Sequence, residues 1–466
     1  MNDRRSNRKF RDKPIDQVRT TALEVLRAVR ERDAYANLLL PSLLRERRLG
    51  GRDAALATEL TYGTARAQGL LDAVITDAAG RPVGEIDPRL LDVLRLGAYQ
   101  LLRTRIEPHA AVSTSVDLVR AEDGQGPAGF VNAVLRKISQ RDEQLWIDDL
   151  APSIVDDPIG HLAFSYAHPR WIAEVFAEAL GGSVGSLQAA LAADDARPPV
   201  HLVARPGQIS AAELALVSGG TEGRLSPYCV YLPGGDPGRL EVVREGLAGV
   251  QDEGSQLVAL ALARATLDGP DEGRWLDLCA GPGGKAALLG SLAEIAGAHL
   301  DAVEISEHRA DLIRSVTADL PVEVYVADGR DPGLAPGYDR VLVDAPCSGL
   351  GSLRRRPEAR WRRRPSDVDE LLPLQRDLLT SALALVRPGG AVVYSTCSPH
   401  PAETTGVVEA VCAATGAEFV DARGFVQTEG LDFPALGPGP HVQLWPHLHG
   451  TDAMFLAVLR RPAQLS

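Results

Sequence analysis

From Val18 to Val29 the apolar positions fall at Val18, Ala22, Val25, Leu26 and Val29, the i, i+3/i+4, i+7 spacing of an amphipathic helix. Comparable spacing predicts helices over Arg52–Ala67, Pro88–Leu102, Ala110–Ala121 and Gly129–Gln140, and Pro88 and Pro108 stand where helices commonly begin. β-Branched runs are scarce in this region, so residues 14–145 read as an all-α bundle. The stretch 141–165, with its DDLAPSIVDDP, is acidic and Pro-containing and reads as a boundary. Residues 160–250 follow as a small α+β domain, with helices over Pro169–Leu180 and Val184–Ala193 and short strands near Val200–Val203 and Cys229–Leu232. From Gly273 the pattern changes to strand–helix alternation. Strands are predicted at Trp275–Cys279, Ala298–Glu304, Glu323–Ala327, Arg340–Val343, Ala391–Ser395 and Ala453–Leu459. Helices such as Lys285–Ile295, Glu307–Asp319 and Asp367–Val386 lie between them. Such alternation implies a parallel sheet with helices on both faces, so residues 251–462 read as an α/β domain. Ligands of these sheets bind beyond the carboxyl ends of the strands, and the chemistry is sought there.

Composition narrows the class. The chain has 466 residues, of which 45% are apolar and 24% charged, which excludes wholesale disorder. Runs of uncharged apolar residues are too short for a spanning helix, and no apolar segment follows the charged start MNDRRSNRKFRDK, so a membrane partner and a secretory signal are not expected. The five cysteines are odd in number and form no CxxC, which fits neither a disulfide framework nor a zinc site. A reducing, cytoplasmic compartment and no metal are therefore expected.

The net charge of −13 taken alone argues against a nucleic-acid partner. Its distribution changes that reading. Residues 1–150 carry 24 basic and 22 acidic residues, and residues 151–466 carry 25 and 40. Residues 1–13 form a basic tail with six Lys/Arg against two Asp. Residues 354–364, RRRPEARWRRR, hold seven Arg around Trp361. Repulsion from distant acids is screened beyond about 8–10 Å at physiological salt. An Arg run is commonly a solvated face. Here Trp361 could stack on a base while Arg354, Arg355 and Arg356 contact phosphates, an RNA-binding expectation.

The strand ends hold the candidate chemistry. After the first strand comes Cys279-Ala280-Gly281-Pro282-Gly283-Gly284-Lys285, whose glycines permit a tight turn and close ligand approach, with a helix N-terminus behind them. It matches neither GxGxxG nor the P-loop. Glu304 follows the second strand, where an acid can accept from ribose hydroxyls. Asp328 follows the third and could accept from an adenine amino group. Together these describe a nucleoside cofactor site. Asp344-Ala-Pro-Cys347-Ser-Gly follows the fourth strand and Ser395-Thr-Cys397-Ser-Pro the fifth, so two cysteines face one crevice. Cytosine C5 methylation needs such an apparatus: a thiolate adds to C6, which makes C5 nucleophilic, and a base later removes the C5 proton.

VQDEGSQ (250–256), DLCAGPGGK (277–285), DRVLVDAPCSG (339–349), YSTCSP (394–399) and HGTDAMFLAVL (449–459) resemble the motifs of the Nol/Nop/Sun family of RNA cytosine-C5 methyltransferases. ALEVL (22–26), YANLLL (35–40), RDAALATELTYGTAR (52–66), LRLGAYQLL (94–102) and GFVNAVLRKI (129–138) resemble the NusB RNA-binding helical domain. A NusB-like domain ahead of a Sun-type domain is similar to the Sun/Fmu branch of the family, which acts on 16S rRNA.

The resemblance implies an all-α NusB-like domain, a small linking domain and a Rossmann-like methyltransferase domain. It implies S-adenosylmethionine bound by residues 279–285, Glu304, Asp328 and Asp344. It implies Cys397 as nucleophile, Cys347 assisting release, and Asp344 at the junction of cofactor and cytosine. Lys285 would support the loop or its ligand electrostatically, and the Arg run would lie beside the RNA path. The implied partner is 16S rRNA or its assembly intermediate, with the protein a monomer. TDAMF stands where TDGFF is usual and CAGPGGK where CAAPGGK is common; neither change removes a chemical group. Two other readings stay open: a non-catalytic NusB-like RNA-binding or ribosome-assembly factor, and a tRNA methyltransferase of the same chemistry.

Overall fold

The computed structural model describes residues 16–431 and 433–462. The basic tail 1–13 lies outside these residues. The described chain divides into two compact units: residues up to 173 together with Arg355–Arg362, and residues 174–354 with those from 363 on.

The first unit is helical. Its helices are α1 (Gln17–Arg32), α2 (Ala36–Glu46), α3 (Gly51–Ala79), α4 (Pro88–Arg103), α5 (Pro108–Asp123), α6 (Gln125–Ile138), α7 (Glu143–Leu150) and α8 (Pro158–Ser165). Asp16 caps α1 by accepting from the Arg19 N–H at 3.1 Å, and Asp87 caps α4 ahead of Pro88. Leu60, Leu70, Val74, Leu94 and Leu135 lie in one buried core. α3 runs well past the expected Ala67, because Leu70, Leu71, Val74 and Ile75 keep its apolar face in that core. The stretch 141–165, expected as a boundary, instead carries α7 and α8. Trp146 of α7 is buried in the same core, and the division of the chain falls inside the helix Arg170–Ala179.

Arg355–Arg362 of the Arg-rich segment is part of this helical unit, whereas Arg354, Arg363 and Arg364 belong to the second. The Trp361 indole N–H donates to the Ala65 carbonyl at 2.9 Å, and its ring fills a slot beside Gly69, where a Cβ would overlap it. Arg360 is fully buried and donates to the Ala167 carbonyl at 2.8 Å. Arg362 donates to the carbonyls of Val29 and Ala34 at 2.5 and 2.9 Å, satisfying acceptors around the end of α1. The buried Glu358 carboxylate accepts from the Ala36 N–H, the first of α2, at 3.2 Å.

The second unit holds two sheets. Strands β1 (Val200–Ala204), β2 (Thr221–Glu222), β3 (Cys229–Leu232) and β4 (Ala248–Val250) form an antiparallel sheet in the order β2-β3-β1-β4. Strands β5 (Arg274–Asp277), β6 (His299–Glu304), β7 (Val322–Val326), β8 (Tyr338–Asp344), β9 (Val386–Thr396), β10 (Glu418–Val420), β11 (Val442–Gln443) and β12 (Phe455–Arg460) form the larger one. Its order is β10-β12-β9-β8-β5-β6-β7, with β11 pairing β12. β9 to β7 are parallel; at one side β12 runs antiparallel to β9, and β10, antiparallel to β12, returns to the direction of the others. The order reverses between β5 and β8, which makes that gap the topological switch point. The sheet is buried on both faces: Leu276, Val303 and Val341 lie in one core cluster, and Leu300, Leu342 and Val393 in another. No described helix is long and apolar enough to cross a membrane.

Candidate active site

The loop after β5 holds Cys279-Ala280-Gly281-Pro282-Gly283-Gly284-Lys285. The Gly281 N–H donates to Glu304 Oε2 at 3.1 Å, and a side chain at Gly281 would occupy the space of Glu304 and Arg309. Gly283 has φ +108°, and a Cβ there would meet Val316 Cγ2 at 2.7 Å. The helix Gly284–Ala296 starts here without a side-chain cap, so its first amides point out of the loop. Glu304 ends β6 and is nearly buried, accepting also from the Ser306 N–H at 3.0 Å. Asp328 follows β7 and is gripped by Arg330, with Nη2 at 2.6 Å from Oδ2; these hydrogen bonds hold its carboxyl below the usual range. This set fits a nucleoside cofactor bearing a carboxylate: amides at a helix start for the anion, and acids on neighbouring strand ends for hydroxyl and amino groups.

Across the switch point, Lys285 leaves the loop and places Nζ 2.6 Å from Asp344 Oδ2. Asp344 Oδ1 accepts from the Ser395 hydroxyl at 2.9 Å. Burial alone would lower the Lys285 ammonium, but Asp344 outweighs it and the net shift is upward. Below them Asp277 is fully buried, and its Oδ2 has no hydrogen-bond partner among the described residues. Burial, with the Asp344 charge adding to it, pushes its carboxyl up to about 7. The Cys279 thiol is raised by burial and by the acids around it, which makes it a neutral packing group of the loop.

β8 and β9 are parallel, with Asp344 opposite Ser395, so the loops that follow them emerge side by side. Cys347 Sγ and Cys397 Sγ stand 3.4 Å apart. The hydrogen bond between the two sulfurs raises the Cys347 thiol and lowers that of Cys397; Lys285 also lowers Cys397, while burial and the Asp344 charge oppose that lowering. The structure thus gathers Cys347, Cys397, Asp344 and Lys285 at one end of the sheet beside the glycine loop.

The Arg run requires correction. Arg354 is buried, its Nε 2.7 Å from Asp452 Oδ1 and its Nη2 3.3 Å from Asp252 Oδ2, and it also donates to the Gly450 carbonyl. It joins the VQDEGSQ motif to the closing HGTDAM motif. Trp361 is half-buried, packed against the helical core with its indole N–H donated to the Ala65 carbonyl. Arg355 is half-buried, and Arg356 alone of the four candidates is exposed, lying over the Tyr35 ring at 5.7 Å.

Sequence reasoning missed Asp277, Asp252, Asp452 and Glu403. Glu403 is fully buried in the turn Pro401–Glu403 and accepts from both Ser348 and Ser398. The repeated Cys-Ser step at 347–348 and 397–398 was the available signal for a shared acceptor.

A methyl donor cradle at the switch point of this strand order defines an S-adenosylmethionine-dependent methyltransferase. The 16S rRNA methyltransferase RsmB/F model matches residues 264–460, and the NusB family model matches residues 16–140. The Mycobacterium tuberculosis protein Rv1407, which carries only a provisional methyltransferase name, is 62% identical over 97% of this chain and 98% of its own. The probable ribosomal RNA small subunit methyltransferase B of Bacillus subtilis is 31% identical over 95% of this chain and 98% of its own. The solved structure of PH0851 superposes with a TM-score of 0.77 at 22% identity, covering 96% of this chain and 99% of its own, which shows the shared fold. This chain belongs to the RsmB/F methyltransferase family, with a NusB-like helical region ahead of the catalytic one. It is an RNA methyltransferase, and its cofactor is S-adenosylmethionine.

Proposed function

We propose that this protein methylates C5 of a cytosine in 16S rRNA through a covalent adduct between Cys397 and C6 of the base. The observation that carries the reading is the 3.4 Å approach of Cys347 and Cys397 at adjacent strand ends, with Lys285 and Asp344 beside them. Glu304, Asp328, the loop 279–285 and the first amides of the helix after it would hold S-adenosylmethionine, which when bound supplies an electrophilic methyl group. Cys397 is the better nucleophile of the pair, because the Cys347 hydrogen bond and the Lys285 ammonium favour its thiolate. Its sulfur bonds to C6 and displaces the π pair toward C5, which becomes able to take up the methyl group. Asp344, held by Lys285 and Ser395, presents a carboxylate edge to the base. At the Cys347 end of the site a base takes the C5 proton. The freed electron pair re-forms the C5–C6 double bond and expels the Cys397 sulfur. A target within duplex RNA has to leave its stack to reach these groups.

The 16S assignment rests on the Bacillus subtilis relative and on the NusB-like region. Bisulfite mapping of rRNA and tRNA from cells with and without the gene tests it. Loss of one 16S rRNA 5-methylcytosine supports it, and loss of a tRNA site instead overturns the substrate. Replacing Cys397 by Ala tests the chemistry: methyl transfer at the wild-type rate removes that residue from the nucleophile role.

A further inference from the structure

We propose that Glu403 is a positioning residue of this reaction, setting the relative placement of Cys347 and Cys397 through the serines that follow them. This rests on the two-cysteine reading above. A fully buried carboxylate is costly unless its lone pairs are filled. Glu403 receives four hydrogen bonds. Its Oε1 accepts from the Ser348 N–H at 2.7 Å and from Gln375 Nε2 at 3.0 Å. Its Oε2 accepts from the Ser398 hydroxyl at 2.7 Å and from the Ser348 hydroxyl. The two serine oxygens are themselves 3.1 Å apart. One side chain therefore gathers the residue after each cysteine.

The acid is in turn fixed from outside both loops. Gln375, on the helix Pro365–Leu385, also donates to the Pro346 carbonyl at 2.9 Å, next to Cys347. The Glu403 carbonyl accepts from the Tyr394 hydroxyl on β9 at 2.8 Å. The assembly ties β9, that helix and both cysteine loops to one carboxylate. It acts on the sulfurs through Ser348 and Ser398. The Glu403 charge also raises the Cys347 thiol, in the same sense as the Cys347–Cys397 hydrogen bond. Without the clamp, the two loops keep their strands but lose the link that sets one sulfur against the other.

The test uses the full chain with Glu403→Ala, Glu403→Gln and Ser398→Ala. The first readout is the rate at which diamide joins Cys347 to Cys397. Two thiols become a disulfide while the diazene takes up two hydrogens, and the product is counted by peptide mass spectrometry. This reaction needs neither RNA nor cofactor. The second readout is kcat and KM for methylation of RNA, and the third is thermal stability. In Glu403→Ala, cross-linking is expected to slow about tenfold and kcat to fall about 100-fold with KM nearly unchanged, as for a misplacement near 1 Å. Glu403→Gln keeps an acceptor for Ser348 and Gln375, and the serine hydroxyls can turn to its amide, so it restores most of both rates. Wild-type cross-linking in Glu403→Ala, or a loss confined to KM, overturns the proposal. If Glu403→Ala does not fold, Ser398→Ala, which leaves three donors on the acid, decides: slower cross-linking supports the clamp and an unchanged rate overturns it. Should the wild-type chain methylate no cytosine while cross-linking still follows Glu403, the functional reading fails and the positioning of the cysteines stands.

Discussion

Lys285 Nζ lies 2.6 Å from Asp344 Oδ2, so the loop after β5 is joined to the end of β8 by one ion pair across the switch point of the sheet. The pair is largely buried, and the ammonium also lowers the Cys397 thiol. Lys285→Met therefore removes the partner of Asp344 and a cation that favours the thiolate. kcat/KM should fall by about 100-fold or more, the scale of losing one preorganised charge in an active site. Steady-state kinetics check this; a loss under threefold sets aside an electrostatic role for Lys285.

The pH dependence follows from the cysteine pair. Cys397 is shifted below its ordinary thiol value of 9.0 by the Cys347 hydrogen bond. Its thiolate forms as pH rises, so kcat/KM should climb with pH and level off, with an inflection below that value. Cys347→Ala removes the S–H donor to Cys397, and the inflection should move upward. The rate at which denaturation-resistant protein–RNA adduct forms, followed on denaturing gels against pH, reads this directly. The same variant should accumulate that adduct, since release is slowed. Absence of adduct with RNA and cofactor present removes Cys347 from release.

Asp277 gives a stability prediction. The unfolded chain ionises this carboxyl near pH 3.9, whereas the native state keeps the proton up to about 7. The native state thus binds more protons between these values, and the stability that this confers is lost as pH rises through the window. Asp277→Asn does not titrate. Its melting temperature should gain on that of the wild type between about pH 4 and 7, and parallel melting curves across that range would rule out the buried protonated acid.

Arg354 should behave as a structural cation rather than an RNA contact. Its guanidinium joins Asp252 and Asp452 in a buried cluster. Arg354→Ala leaves two buried carboxylates without that cation and should cost about 3–5 kcal/mol of stability. The slope of log K for RNA against log salt should be unchanged, whereas a lost phosphate contact would reduce it by about one. Urea denaturation and salt-dependent binding separate the two.

Gly69→Ala should disturb the helical unit through Trp361. The new methyl would overlap the indole ring, and overpacking of this kind costs about 1–3 kcal/mol. Combining it with Trp361→Ala should relieve that clash, so the two losses should not add. Additive losses in a double-mutant cycle would dissociate the glycine from the tryptophan.

The parallel strands were legible because their apolar runs are bounded by turn residues, and β6 and β7 fall within a residue or two of expectation. The cysteine and glycine loops were legible because each follows such a run. α2 was missed, with Pro41 inside it, as was the role of 141–165, where Asp and Pro residues turned out to start helices: Asp142 caps α7 and Asp157 caps α8. The Arg run was misread because its partners are remote: Trp361 meets Ala65, and Arg362 meets Val29 and Ala34, all about 300 positions earlier by the helical unit's own hydrogen bonds. Local composition carries no trace of such pairings. Glu403 was hidden for a related reason, since a glutamate in a Pro-rich turn looks solvent-exposed until four donors converge on it.

Residues 355–362 belong to the helical unit although they lie far along the chain from the rest of it. A fragment ending near residue 173 would consequently carry a slot at Gly69 and bare carbonyls at Ala34, Ala65 and Ala167, but not the side chains that fill them. A fragment beginning there would carry Trp361 and Arg360 with nowhere to bury them. No single cut separates this protein into two complete pieces, so its helical part cannot be moved to another catalytic partner, by a gene fusion in the laboratory or by recombination in a genome, unless that partner brings its own eight-residue plug.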